Sequence, residues 1–147
     1  MSSIVPLISS GVAGPLGVLH LPRLWQKASL EARAKLAAGY PGCGKGYDQM
    51  VLDALGLDRE RTLEFIRSAR PSYPQFEAWV RTQAGVKLDK ATVDGLNSAI
   101  RGYIHASETR QAILSASGIP DDANAFQDAV NLNNLDDWYE FWSAELK

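Results

Sequence analysis

Apolar residues recur at three- and four-residue steps along most of the chain, which is the spacing of one face of a helix. The clearest run begins after Pro22, a residue that favours the first turn of a helix, and passes through Leu24, Ala28 and Leu36. Gly39 follows the run and is a typical residue for the end of a helix. The pattern therefore predicts a first helix that extends from Pro22 almost to Gly39.

Capping residues divide the rest of the chain into further short helices. Asp58 and Asp89 precede apolar runs as N-cap residues, while Gly56 and Gly118 follow other runs as C-terminal residues. Helices are predicted over residues 48–55, 58–70, 74–85, 89–104, 107–117 and 121–130, and from 136 to the end. The asparagine-rich run 131–134 is typical of a turn.

No segment alternates between apolar and polar residues for long enough to predict a strand. The 147 residues, 46% of them apolar, suit one domain with one core. We therefore predict an all-α, compact single-domain bundle of about seven or eight short helices. Large apolar residues on the inward faces are expected to be buried: Trp25, Leu36, Leu55, Ile66, Trp79, Leu96, Ile100, Phe126 and Trp142.

The N-terminal residues 1–19 are apolar but are repeatedly interrupted by proline and glycine. These interruptions argue against a membrane span, and the absence of a positive charge before Arg23 argues against a secretory signal. We predict an extended arm over residues 1–19 that packs on an α-helical domain formed by residues 20–147. A second copy of the chain is the alternative support for the arm, and the protein would then be a homodimer.

Composition excludes several classes of function. The net charge of −2 gives no broad basic surface for nucleic acid. The single cysteine, Cys43, rules out an internal disulfide and fits a reducing cytoplasm. A nucleophilic Cys43 would need a neighbouring histidine or helix N-terminus. His20 and His105 lack the spacing of a metal site, so no metal and no other cofactor is predicted.

The glycine-rich segment 39–46 fits the pattern G-x-x-x-x-G-K of a phosphate-binding loop. Gly46, however, occupies the position where that loop needs a hydroxyl for magnesium, and a predicted helix precedes the segment where a strand is required. We therefore expect no nucleotide hydrolysis. The segment is either a flexible connection between helices or a cradle for the carboxylate or phosphate of a small ligand.

Arg23, Lys27 and Asp48 are the candidate catalytic residues. Arg23 and Lys27 are one helical turn apart and repel each other unless an anion lies between them. Asp48 is the best-placed carboxylate of the chain, because the glycine-rich segment returns it towards the first helix. The alternative is a solvated helix face. We expect His20, Tyr40, Tyr47, Trp138 and His105 to bind the substrate around this cluster.

Five segments carry a likeness to a known family: Leu19–Ala28 (LHLPRLWQKA), Gly39–Tyr40, Gly46–Gln49 (GYDQ), Leu55–Asp58 (LGLD) and Val130–Trp138 (VNLNNLDDW). They resemble a bacterial family of small proteins, the domain-of-unknown-function family numbered five-zero-six-nine. The resemblance extends over most of the chain. It implies the all-α fold class and, on motif match, a shared site at Arg23, Lys27 and Asp48, but the family name implies no activity.

Two functions are consistent with these features. The first is a cofactor-independent enzyme, a lyase, isomerase or hydrolase, that acts on a small anionic or carbonyl-containing compound. Arg23 and Lys27 would bind the anionic end of the substrate, and Asp48 would transfer a proton. The second is a non-catalytic module that binds a small molecule or another protein through the apolar arm and the aromatic C-terminal helix.

Overall fold

Seven α-helices make up the regular structure of residues 3–147, which a computed structural model of the chain describes. They are α1 (Leu21–Ala32), α2 (Tyr47–Leu55), α3 (Arg59–Ala69), α4 (Tyr73–Thr82), α5 (Lys90–Gly102), α6 (Ser107–Ser117) and α7 (Ala129–Glu145). Over the same residues the backbone forms isolated β-bridges but no strand. The predicted all-α, single-domain fold is confirmed.

Most helix ends lie where the capping residues predict them. The side chains of Asp58 and Asp89 accept hydrogen bonds from the first turns of α3 and α5. Gly56 and Gly118 take the left-handed backbone conformation at the ends of α2 and α6. Ser72 forms a complete capping box at the start of α4.

The first helix is shorter than predicted, because it ends at Ala32 and not at Gly39. Ala34 has a positive φ of 56°, which turns the chain out of the helix. The N-terminal arm then supplies the hydrogen bonds that a longer helix would have made. The amide of Ile4 donates to the carbonyl of Lys35 at 2.7 Å, and the amide of Ala37 donates to Ile4 at 3.0 Å.

The C-terminal part of the chain also differs from the prediction. Residues 119–128 form no helix, and the asparagine-rich run 131–134 lies inside α7 instead of forming a turn. Asp128 is the N-cap residue, and its carboxylate accepts from the amide of Asn131 at 2.9 Å. Ala129 and Leu132 are buried against the domain. This burial outweighs the weak helix propensity of the asparagines.

The core forms around α1, which packs against α2, α3 and α4. Helix α5 packs against both α2 and α7. Among the residues predicted to be buried, Leu55, Ile66, Leu96 and Ile100 are buried, and Trp25, Leu36 and Trp79 are partly buried. The prediction is wrong for Phe126 and Trp142, which are 48% and 44% exposed. Phe126 lies in the loop before α7, and Trp142 lies on the outer face of that helix.

The N-terminal arm lies on this domain, and side chains provide hydrogen bonds for its irregular backbone. The amide of Leu16 donates to the buried carboxylate of Glu77 at 3.2 Å. The amide of Leu19 donates to Asn97, whose side-chain amide donates in turn to the carbonyl of Gly17 at 2.8 Å. Val18 and Leu19 are part of the core. In the described part of the chain, no helix is long and apolar enough to cross a membrane.

Two glycines should respond in opposite ways to replacement by alanine. A Cβ atom at Gly14 would lie 2.4 Å from the ring of Tyr73 and 2.6 Å from the carboxylate of Glu77. Gly95 lies within α5 with open space around it. We expect Gly14→Ala to lower the free energy of unfolding by about 1–3 kcal/mol. Gly95→Ala should raise it by about 0.5–1 kcal/mol.

Denaturant titration of the two variants and the wild type measures both changes. Equal effects of the two substitutions would show that the arm is not packed on α4 in solution.

Candidate functional site

A cavity of about 580 Å³ opens between the start of α1, the glycine-rich segment, α2 and α7. The sequence-predicted site residues that line it are His20, Arg23, Lys27, Tyr40, Tyr47, Asp48 and His105. The structure therefore brings together residues that are up to 85 positions apart in the sequence. Trp138 is not among them: its side chain is 59% exposed and lines a separate surface groove beside Trp142.

Asp48 is the centre of the buried hydrogen-bond network. One of its carboxylate oxygens accepts from Nε2 of His20 at 2.6 Å. The other accepts from Nζ of Lys27 at 2.6 Å and from the amide of Gly44 at 2.7 Å. Burial opposes ionisation of this carboxyl, but the contacts with His20 and Lys27 prevail and hold its pKa well below the ordinary value.

This environment changes the role that Asp48 can have. A carboxylate with a lowered pKa and both oxygens occupied is a weak proton acceptor. Its geometry favours a role in fixing Lys27 and His20 over the proton transfer predicted from the sequence. The prediction that Asp48 neutralises Lys27 agrees with the structure, since their side chains form a buried ion pair.

His20 links this carboxylate to the N-terminal arm. Its Nδ1 lies 2.8 Å from the hydroxyl of Ser10, and its Nε2 faces Asp48. Burial lowers the pKa of His20, and the hydrogen bond with Asp48 offsets only part of this effect. The arrangement assigns a neutral imidazole that donates from Nε2 to Asp48 and accepts from Ser10 at Nδ1.

Ser10, His20 and Asp48 stand in the order of a nucleophile, a base and an orienting carboxylate. Ser10, however, is 1% exposed and is not part of the cavity lining. A substrate therefore has no access to its hydroxyl in this structure. The sequence does not single out Ser10, because an isolated serine in an apolar arm carries no motif. Its role here is to fix the orientation of the His20 ring.

Lys27 combines burial with unused hydrogen-bond capacity. Its ammonium group has three donors, and Asp48 is the one hydrogen-bond partner that the described residues provide. Lys27 lines the cavity although it is only 6% exposed. The remaining donors make it the strongest candidate for binding an anionic or carbonyl oxygen of a ligand.

Arg23 does not pair with Asp48, and the predicted three-residue cluster is wrong on this point. Its guanidinium group forms a two-pronged contact with Asp137 at 2.7 and 3.0 Å, and it also donates to the carbonyl of Ile8 at 2.9 Å. The hydroxyl of Tyr40 donates to the same carboxylate at 3.0 Å. Arg23 thus connects the arm to α7, and most of its donors are used within the protein.

Asp137 was missed because the sequence pattern placed it at the start of the last helix. In the structure it lies in the third turn of α7 and is buried. A continuous helix from residue 129 would have placed Asp137 two turns after Val130, on a face that packs against the core. The asparagine-rich run concealed that continuity.

The glycine-rich segment binds carboxylates, but they belong to this chain. The amide of Gly42 donates to Glu31 at 3.0 Å, and that of Gly44 donates to Asp48. A Cβ atom at Gly42 would lie 2.4 Å from the carboxyl group of Glu31, so a larger residue there would displace this exposed side chain and break its hydrogen bond with the segment. Arg59 holds the segment by donating to the carbonyls of Cys43 and Gly44.

Two further groups bear on the chemistry of the cavity. Burial and the nearby Asp48 carboxylate raise the pKa of Cys43, which disfavours a reactive thiolate. Burial and repulsion from Asp137 and Glu140 raise the pKa of Asp136, which lines the cavity and was not predicted as a site residue. Within residues 3–147, no group of three or more His, Cys, Asp or Glu side chains is arranged to hold a metal ion.

Comparison of the chain with models of known protein families and with curated proteins gave no match. Membership of the uncharacterised bacterial family that the sequence resembles therefore stays a prediction.

Removal of Arg23 should destabilise the protein strongly. Arg23→Met leaves the buried carboxylate of Asp137 without its partner, and the free energy of unfolding should fall by about 3–5 kcal/mol. The double variant Arg23→Met/Asp137→Leu should recover most of this loss, because no unpaired charge remains. Urea titration measures both changes.

The matched control is Arg67→Met, which breaks an exposed pair with Glu64 and should cost less than about 1 kcal/mol. A single Arg23 variant as stable as this control would contradict the structural role.

His20 should make folding stability sensitive to acid. The folded protein holds its imidazole neutral below the ordinary pKa of 6.5, while the unfolded chain takes up a proton there. The contribution of His20 to stability should therefore be constant above about pH 7 and be lost as the pH drops from about 7 to about 5. His20→Asn should remove this fall, because asparagine tolerates the positive φ of 70° at this position and does not titrate.

Thermal melts across this pH range, with His105→Asn as the control, provide the test. The prediction fails if the His20 variant keeps the wild-type slope.

Proposed function

We propose that this protein is a cofactor-independent enzyme that acts on a small anionic compound with a carbonyl group. The observation that carries the proposal is the buried ammonium of Lys27, which lines the cavity and is fixed there by Asp48. A fixed positive charge in a site with little water stabilises negative charge that develops on a substrate oxygen. The volume of about 580 Å³ suits a small organic ligand.

Asp136 is the group that we propose for proton transfer. Its raised pKa makes it a better proton acceptor than an ordinary carboxylate, and it lines the same cavity as Lys27. It would take a proton from the carbon next to the substrate carbonyl, and the electron pair of that C–H bond would move onto the carbonyl oxygen. Lys27 would stabilise the resulting enolate.

The enolate can react in two ways that fit the classes expected from the sequence. Return of the proton to a different atom makes the enzyme an isomerase. Loss of a leaving group from the neighbouring carbon makes it a lyase. The hydrolase class receives less support, because the one serine within reach of His20 is buried outside the cavity lining.

Proton exchange with deuterium oxide tests the proposal without knowledge of the natural substrate. Pyruvate, 2-oxobutyrate and phenylpyruvate are incubated with the protein, and NMR follows the loss of the hydrogens next to the carbonyl. We expect exchange above the uncatalysed rate for at least one compound. Lys27→Gln and Asp136→Asn should each reduce it on the order of 10²-fold, since each removes one of the two proposed groups.

The matched controls are Lys35→Gln and Glu145→Gln, which change exposed residues outside the cavity and should leave exchange unchanged. Circular dichroism of each variant separates a loss of chemistry from a loss of folding. Exchange that survives in folded Lys27→Gln protein would refute the assigned role of the lysine.

One observation favours a second candidate, a non-catalytic module that binds a small molecule or another protein. Trp138 and Trp142 are exposed and line a groove of about 440 Å³ with Ile119 and Leu135. Binding of the oxo acids without any proton exchange would favour this alternative. For either function we propose the cytoplasm as the compartment, because the free thiol of Cys43 fits a reducing environment.

A further inference from the structure

A row of aromatic rings leads from the buried charges to the mouth of the cavity. The rings of His20 and Tyr47 lie 5.3 Å apart, those of Tyr47 and Tyr103 lie 5.6 Å apart, and those of Tyr103 and His105 lie 6.2 Å apart. All of these residues line the cavity. His20 is 2% exposed and Tyr103 is 49% exposed, so the row extends from the interior to solvent.

Hydrogen bonds within the protein hold the rings on either side of Tyr103, whose own ring packs edge-on against both. The hydroxyl of Tyr47 donates to the carbonyl of Ile100 at 2.6 Å, and Nε2 of His105 lies 2.9 Å from the side chain of Asn133. Burial raises the pKa of Tyr47 to about 12, so its ring stays an uncharged phenol in alkaline as well as neutral solution. A rigid aromatic wall loses little conformational entropy when a ligand binds against it.

The inner end of this wall meets the positive charge of Lys27, because His20 and Lys27 share the carboxylate of Asp48. A ligand whose anionic group contacts Lys27 would extend outward along Tyr47 and Tyr103. Two aromatic rings in offset or edge-to-face contact gain stability beyond the apolar area that they bury, because their quadrupoles attract each other; a puckered aliphatic ring has no such quadrupole.

We infer that the ligand of this cavity is a planar, aromatic or conjugated carboxylate, with its acid group at Lys27 and its ring against Tyr47 and Tyr103. This inference rests on the proposed function, in which the ammonium group of Lys27 binds substrate oxygens; in a 2-oxo acid the carboxylate and the carbonyl oxygen are neighbours, and both can contact it. It adds the chemical class of the remainder of the molecule.

Benzoate and cyclohexanecarboxylate form a matched pair of probes, since both carry one carboxylate on a six-membered ring and differ in planarity. Each is titrated into the full-length protein, and amide chemical shifts of residues 44–48 and 103–105 give the dissociation constants. Benzoate should bind about 3- to 10-fold more tightly than cyclohexanecarboxylate. Tyr103→Leu should abolish this preference, because it removes an exposed ring at the cavity mouth.

Tyr139→Leu is the control variant, since Tyr139 lies on α7 outside the cavity and the preference for benzoate should persist in it. Equal or tighter binding of cyclohexanecarboxylate would overturn the inference about planarity. If Lys27→Gln then still weakens the binding of both probes, the proposed anion site at Lys27 is retained and only the inference about planarity fails. Absence of binding by either probe, or binding that is indifferent to Lys27→Gln in folded protein, would overturn the inference together with the proposed function.

Discussion

Two buried positive charges on one face of α1 are the constraint on which the rest of this structure depends. Arg23 and Lys27 are one turn apart, and each is only 6% exposed. Neither charge is tolerable in the interior without a partner. Asp48 from α2 neutralises Lys27, and Asp137 from α7 neutralises Arg23. The helices that supply these carboxylates, α2 and α7, are therefore both held at the cavity by ionic contacts with one helix.

The same contacts determine which polar groups remain for a ligand. Arg23 donates hydrogen bonds to Asp137 and to the carbonyl of Ile8 in the arm. Asp48 accepts hydrogen bonds from His20, Lys27 and the amide of Gly44. Lys27 keeps donors that the described residues do not use. Asp136 lies next to the buried Asp137 carboxylate, and its raised pKa is partly a consequence of that neighbour. The structural ion pairs thus use the hydrogen-bonding groups of Arg23 and Asp48 within the protein and leave those of Lys27 and Asp136 for a ligand.

The N-terminal arm contacts the charged groups of the site as well as packing on the core. Ser10 contacts His20, and the carbonyl of Ile8 accepts from Arg23. The glycine-rich segment has a comparable role on the other side, since its amides bind Glu31 and Asp48. Two segments without regular structure therefore fix the charged side chains of α1 and α2.

The sequence by itself determined the fold class, most helix ends and seven of the residues that line the cavity. Those features follow from local physics: three- and four-residue periodicity, side chains that cap the first turn, and repulsion between Arg23 and Lys27 that requires a carboxylate. Only the tertiary structure decided that α1 stops at Ala32, that α7 continues through the asparagines, and that Asp137 is the partner of Arg23. These outcomes depend on the burial of Leu132 and on backbone pairing between Ile4 and residues 35–37, contacts between segments that are distant in the chain. Helix periodicity and capping contain no information about such contacts, because they describe only neighbours within a few residues.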